Sequence, residues 1–132
     1  MVNNLPDNEI RPLKAKLTER RAVLLEDIRQ ELIRSDESRF ADLAGRVHDA
    51  GDESVADLLV DVDTAIVHRH ISELRHIEEA LRRMSQGGYG YCDTCGERIE
   101  AARLSTQPTA IRCLGCQDRY ERVAPHGVTP RL

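Results

Sequence analysis

The chain has 132 residues, is 32% charged and only 3% aromatic, and contains no Trp and a single Phe, Phe40. That leaves room for one domain, or one elongated element with a small cap, and excludes a large aromatic core. The formal charge of −4 argues against an independent DNA binder, whose affinity rests on Lys and Arg set against phosphate, and no stretch of 18 apolar residues could span a membrane.

Residues 1–11 are polar with Pro6 and are expected to be a flexible start, with Pro12 opening a helix at its first turn. Leu13, Leu17, Leu24, Ile28 and Leu32 then recur at helical spacing between Lys, Arg and Glu, which predicts an amphipathic helix. Ser35, Asp36, Glu37 and Ser38 weaken it, because Ser and Asp compete for backbone hydrogen bonds. Phe40, Leu43 and Val47 resume the stripe, so the helix either continues through a soft spot or restarts there.

His48 to Asp52 break the periodicity and predict a turn. Asp49 is placed to cap the next helix, with Asp52 in the capping-box position. Val55, Leu59, Val62, Ile66, Leu74, Ile77, Leu81 and Met84 form a second stripe that runs to Gln86. Glu78→Arg82 and Glu79→Arg83 stand in the favoured i,i+4 order on its outer face. Gly87 and Gly88 end it. Two helices of roughly 35 residues would each reach about 50 Å, and the short link makes them antiparallel. The expected fold is therefore mainly α. A long coiled-coil helical hairpin over 12–86, turning near 48–52, is followed by a four-cysteine zinc-finger module over 87–123. The module should end in a short C-terminal helix from Cys113 to about Val123. Residues 124–132, with Pro125, Gly127 and Pro130, are expected to be a flexible tail.

Cys92-x-x-Cys95 and Cys113-x-x-Cys116, separated by seventeen residues, are the only cysteines. Each two-residue gap lets one turn present two sulfurs to one ion, and the pair of turns matches a tetrahedral four-thiolate zinc site. Gly96 suits the first turn, since a residue without Cβ leaves its backbone N–H free to approach sulfur. With four protein ligands the zinc is structural, because catalytic zinc keeps an open position. Residues 1–30 lack an apolar signal core, which argues against an oxidising compartment and two disulfides. A second Cys pair argues against a thioredoxin-like dithiol. An iron–sulfur cluster accepts the same four thiolates and ranks below zinc. Reduced cysteines point to the cytoplasm. No nucleophile–base pair or open metal position suggests an enzyme.

Charge is unevenly distributed along the hairpin. Residues 49–63 hold Asp49, Asp52, Glu53, Asp57, Asp61 and Asp63 and no Lys or Arg. The dipole of a helix start accounts for Asp52 and Glu53 alone, so a rod ending in a negative tip far from the metal is a second candidate site. Of the histidines, His70 falls near the apolar stripe, where a hydrogen bond could join the two helices.

Tyr89-Gly90-Tyr91-Cys92-Asp93-Thr94-Cys95-Gly96, Ile99, Arg103-Leu104, Pro108-Thr109-Ala110 and Cys113-x-x-Cys116-Gln117 closely resemble the zinc-finger signature of the DksA/TraR family. The resemblance is specific over 89–117, and the hairpin extends it along most of the chain. It implies a bacterial regulator that binds RNA polymerase rather than DNA, pushing a coiled-coil tip through the secondary channel and altering initiation. The family's tip motif, Asp-x-x-Asp-x-Ala, falls on Asp49, Asp52 and Ser54, where Ser54 departs from Ala by a hydroxyl. Gln107 and His76 stand where some members carry basic residues near ppGpp, so dependence on ppGpp is not implied. The alternatives are a stress-related zinc-fold scaffold without polymerase activity, which Ser54 favours, and a DNA-binding finger using Arg98, Arg103, Arg112, Arg119 and Arg122.

Overall fold

The computed structural model describes residues 4–35, 38–62 and 64–123, apart from the side chain of Ile66. Among the described residues six helices follow in order: α1 (Asp7–Arg34), α2 (Ser38–His48), α3 (Val55–Leu58), α4 (Ala65–Gln86), α5 (Ala101–Thr106) and α6 (Leu114–Val123). Among the described residues the one extended pairing is an antiparallel bridge between Tyr91 and Arg98.

α1 buries Ile10, Leu17, Leu24, Ile28 and Leu32, spaced at multiples of a helical turn. α4 answers with Val67, Leu74, Ile77, Ala80 and Met84. The two run antiparallel, as the side-chain pairs across them show: Asn4 with Met84, Arg20 with Glu73, and Asp27 with His70. These are the long arms of the expected hairpin, and the finger follows the second arm. The His70 Nε2 stands 4.0 Å from Asp27 Oδ2, so this histidine does face the other arm.

The N-terminus departs from the expectation. Residues 7–11 are helical, and Pro12 lies inside α1 rather than opening it. The Pro6 carbonyl starts the helix by accepting the N–H groups of Glu9 and Ile10, each at 3.0 Å. Packing sets this earlier start. Leu5 and Ile10 are buried, and the Asn4 side chain donates to the Met84 carbonyl at 3.0 Å and accepts the Tyr89 N–H at 3.1 Å. The expected tail at 124–132 lies outside the described residues.

The arms also differ in length from the expectation. The first helix restarts at Ser38, and α2 packs back along α1, so the chain reverses between Arg34 and Ser38. The second is split: α3 has four residues, and α4 begins only at Ala65. Val60 and Val62 are β-branched, and Asp61 and Thr64 favour caps over helix interiors, so 59–64 resists helix. Thr64 caps α4, accepting the Val67 N–H at 3.2 Å. α1 packs on α2 and α4, and α3 packs on both α2 and α4. The four segments thus enclose one core, with Leu24, Ile28, Leu32, Val47, Val55, Leu59, Leu74 and Ile77 almost fully buried.

Candidate metal centre and acidic turn

α4 stops at Gly87, whose φ of 111° is open to glycine. Arg83 then ties the exit to the finger, donating to the carbonyls of Gly88 at 2.7 Å and Tyr91 at 3.0 Å. It does not pair with Glu79, as the i,i+4 spacing suggested; Glu79 is held by Arg82 at 2.9 Å instead. Beyond the Tyr91–Arg98 bridge, the Cys92 N–H donates to Glu97 and the Gly96 N–H returns to the Cys92 carbonyl, at 2.7 and 3.0 Å. Gly96 completes this turn with φ at 80°. The second pair sits at the start of α6, and the Asp93 N–H donates to the Ile111 carbonyl at 2.7 Å, locking the two knuckles together.

The four Sγ atoms of Cys92, Cys95, Cys113 and Cys116 all lie within 4.8 Å of one another. A zinc–sulfur bond of about 2.3 Å gives a tetrahedral edge of roughly 3.8 Å, and Cys95 and Cys113 are 4.0 Å apart at sulfur. Three N–H groups already point at sulfur: Cys95 N at Cys92 (3.5 Å), Cys116 N at Cys113 (3.4 Å) and Arg119 Nη2 at Cys116 (3.1 Å). Burial pushes the Cys116 thiol up to about 12, and neighbouring Cys113 adds to it. At Cys92 burial also acts upward, but backbone N–H groups of Cys95, Cys113 and Thr94 outweigh it and bring the thiol down to about 6. Four thiols in one small space resist ionising together; a dication at their centre lets all four do so. The donor set therefore fits one structural zinc ion, held by four thiolates.

Arg119 was not singled out as a sulfur donor from sequence, although its place three residues after Cys116 on a helix carries the signal. Tyr89 is a second such residue. It is 2% exposed, and its hydroxyl donates to the Pro108 carbonyl at 2.7 Å, joining the exit of α4 to the far side of the finger.

Asp49, Asp52 and Ser54 lie together on the turn between α2 and α3, with Gly51 at φ 59°. Asp49 and Asp52 are exposed, and Asp49 Oδ1 meets His48 Nδ1 at 3.1 Å. The cap of the next helix is Ser54 rather than Asp49: its Oγ accepts the Asp57 N–H at 3.1 Å and donates to Glu78 at 2.9 Å. Glu78 also accepts the Val55 N–H at 2.9 Å, so it faces inward instead of pairing with Arg82.

The position of this turn corrects the picture of a distant tip. Arg21 of α1 donates to the carbonyls of Gly51 and Glu53, both at 2.9 Å, and to Glu78 at 3.3 Å. The base of the rod is marked by Glu9, which pairs with Arg98 of the finger. From Glu9 to Arg21 is about 18 Å of helix, so the acidic turn lies beside the middle of α1 rather than about 50 Å away. Reversal of the chain after Arg34 is the cause. Asp61 is also exposed, on the segment facing α2, and Asp63 lies outside the described residues.

Fold and site together define a zinc-stapled helical protein: a hairpin of helices standing on a four-thiolate finger. A family model described as the prokaryotic dksA/traR C4-type zinc finger matches residues 87–122. Over 118 residues the chain is 32% identical to the RNA polymerase-binding transcription factor DksA of Caulobacter vibrioides, covering 88% of this chain and 78% of that one. The protein of the same name from Haemophilus influenzae is 41% identical over 48 residues, 36% of this chain and 33% of that one. The solved structure of transcription factor DksA2 from Pseudomonas aeruginosa superposes with a TM-score of 0.59 at 29% identity, covering 88% and 85% of the two chains. The chain belongs to the DksA/TraR family.

Proposed function

We propose that this protein is a transcription regulator that binds RNA polymerase and modulates initiation by presenting Asp49 and Asp52 within the secondary channel. The observation that carries the reading is the relation, along nearly the whole chain, to a DksA named for binding RNA polymerase. The exposed carboxylates of Asp49 and Asp52 support the role given to the turn. A polymerase pore that admits nucleotides and holds Mg²⁺ would attract carboxylates. The zinc finger would act as a rigid base that sets the angle of the helices, and affinity would come from protein contacts along hairpin and finger. The protein acts by contact, not by catalysis, and four reduced thiolates suit the cytoplasm. Ser54 is consistent with this reading, because its hydroxyl is used in capping α3 and binding Glu78.

Co-purification with core RNA polymerase tests the partner, and no association would refute it. Asp49→Asn and Asp52→Asn should then abolish the effect on transcription while leaving binding and stability nearly unchanged. Full transcriptional activity in the double variant would refute the role given to the turn, and a wild type that leaves transcription unchanged would favour the scaffold reading.

A further inference from the structure

The outer part of the hairpin has its own internal order, and that order is not the one needed to lie where it does. Phe40 and Leu43 of α2 face Leu58 and Val62 across a small groove of about 190 Å³. The segments on either side of the acidic turn near Gly51 therefore face one another across it. Residues 38–62 are thus a short hairpin in themselves, laid back on the longer one made by α1 and α4. The two places where the outer hairpin joins the inner one are level. α1 ends at Arg34 and α4 begins at Ala65, and the arms pair Asp27 with His70 just below.

The apolar stripe does not require this arrangement. Leu24, Ile28 and Leu32 continue into Phe40, Ala44 and Val47 at helical spacing, so a straight first arm would keep all of them on one face. Beside the apolar core shared with the inner hairpin, the folded-back state has a set of polar contacts that a straight arm would lack. Arg21, with its side chain only 15% exposed, donates to two backbone carbonyls of the acidic turn and to Glu78. Glu78, equally enclosed, takes the Ser54 hydroxyl and the Val55 N–H. Arg75 approaches Asp57 at 3.8 Å on the outer side. One arginine and one glutamate of the inner hairpin therefore hold the turn of the outer one, by three backbone groups and the Ser54 hydroxyl.

We propose that this contact is autoinhibitory: the Arg21–Glu78 latch keeps the acidic turn at mid-rod, and its release swings residues 38–62 outward to place Asp49 and Asp52 at the end of the rod. The regulatory meaning rests on the function proposed above; the movement itself does not. A partner that favours the extended state must supply the free energy difference between the two. The apolar contacts between outer and inner hairpins set that difference together with the latch.

The movement is read by the distance between labels at exposed positions 19 and 46, carried by non-canonical amino acids so that the zinc thiols are untouched. Folded back, these sites are about 16 Å apart, from helix rise and one interhelical spacing. With a continuous first arm they are about 40 Å apart. The zinc-loaded wild type should give the short distance. Arg21→Ala should add a long-distance population several-fold above wild type, whereas Arg20→Ala, which breaks only the Glu73 pair, should not. Identical distributions for Arg21→Ala and wild type would overturn the latch, as would equal opening in Arg20→Ala. Should Arg21→Ala lose helical circular dichroism, Ser54→Ala serves in its place, with a smaller shift in the same direction. Core RNA polymerase added to wild type should move it to the long distance. Binding with the short distance retained would overturn autoinhibition, and failure to bind would overturn the proposed function while the Arg21 result stands.

Discussion

Tyr89 offers a test of how the finger is joined to the helices. Its ring is 2% exposed and its hydroxyl donates to the Pro108 carbonyl at 2.7 Å. Tyr89→Phe keeps the ring and removes that bond. Pro108 is half-buried, so its carbonyl can take water in exchange and the cost should be about 1 kcal/mol, near 4 °C in Tm. The same substitution should change the response to alkali. Burial pushes the Tyr89 hydroxyl from 10 up to about 12, against a smaller opposing pull from Arg83. A raised folded value means the stability is intact below pH 10 and is lost as pH rises from about 10 to about 12. Two pH units correspond to about 2.7 kcal/mol. Urea unfolding of the zinc-loaded proteins across this range should show curves that cross at about pH 11, with the Phe variant the more stable above it. Comparing the two proteins cancels every other titrating group, and the difference in phenolate absorbance assigns the transition to Tyr89. Parallel loss of stability in both proteins would refute the reasoning.

Two further pairs of substitutions, each a test with its control, examine the finger and its seat. Gly90→Ala should destabilise by about 1–3 kcal/mol from its positive φ alone, and further because a Cβ there would clash with the Leu5 side chain. Gly45→Ala, in α2 with nothing within 4 Å, should stabilise by about 0.5–1 kcal/mol; thermal melts that show the same sign for both would contradict this account. Arg119→Ala removes the side-chain donor from Cys116 and should release zinc to a chelator roughly 10–100-fold faster. Arg122→Ala, which loses only its pair with Asp118, should release at the wild-type rate.

The four metal-ligating cysteines were legible from the sequence, although the Arg119 donor to Cys116 was not. Two Cys-x-x-Cys turns and a positive-φ glycine are local features, and the chain has little choice in how such turns present sulfur. The two stripes were equally legible, because Leu17, Leu24, Ile28 and Leu32, or Leu74 and Ile77, reveal their burial through spacing. The ends of the helices were not. Residues 7–11 look like a polar start until Leu5 and Asn4 are seen to dock on Gly90 and Met84. The stretch from Val60 to Thr64 continues the apolar period in part, yet its β-branched residues and Thr64 cap divide it into α3 and α4.

The tip motif makes the division clearest. Sequence determined by itself that Asp49, Asp52 and Ser54 share one turn, and that the turn carries negative charge. It could not determine where that turn lies, since a helical stripe is satisfied by any partner of matching period. Only tertiary structure decided between a straight arm and one folded back after Arg34. The deciding contact is Arg21 reaching residues thirty positions or more away. A guanidinium placed against two carbonyls and a carboxylate leaves no periodic trace in the chain, because its partners are backbone groups present at every position.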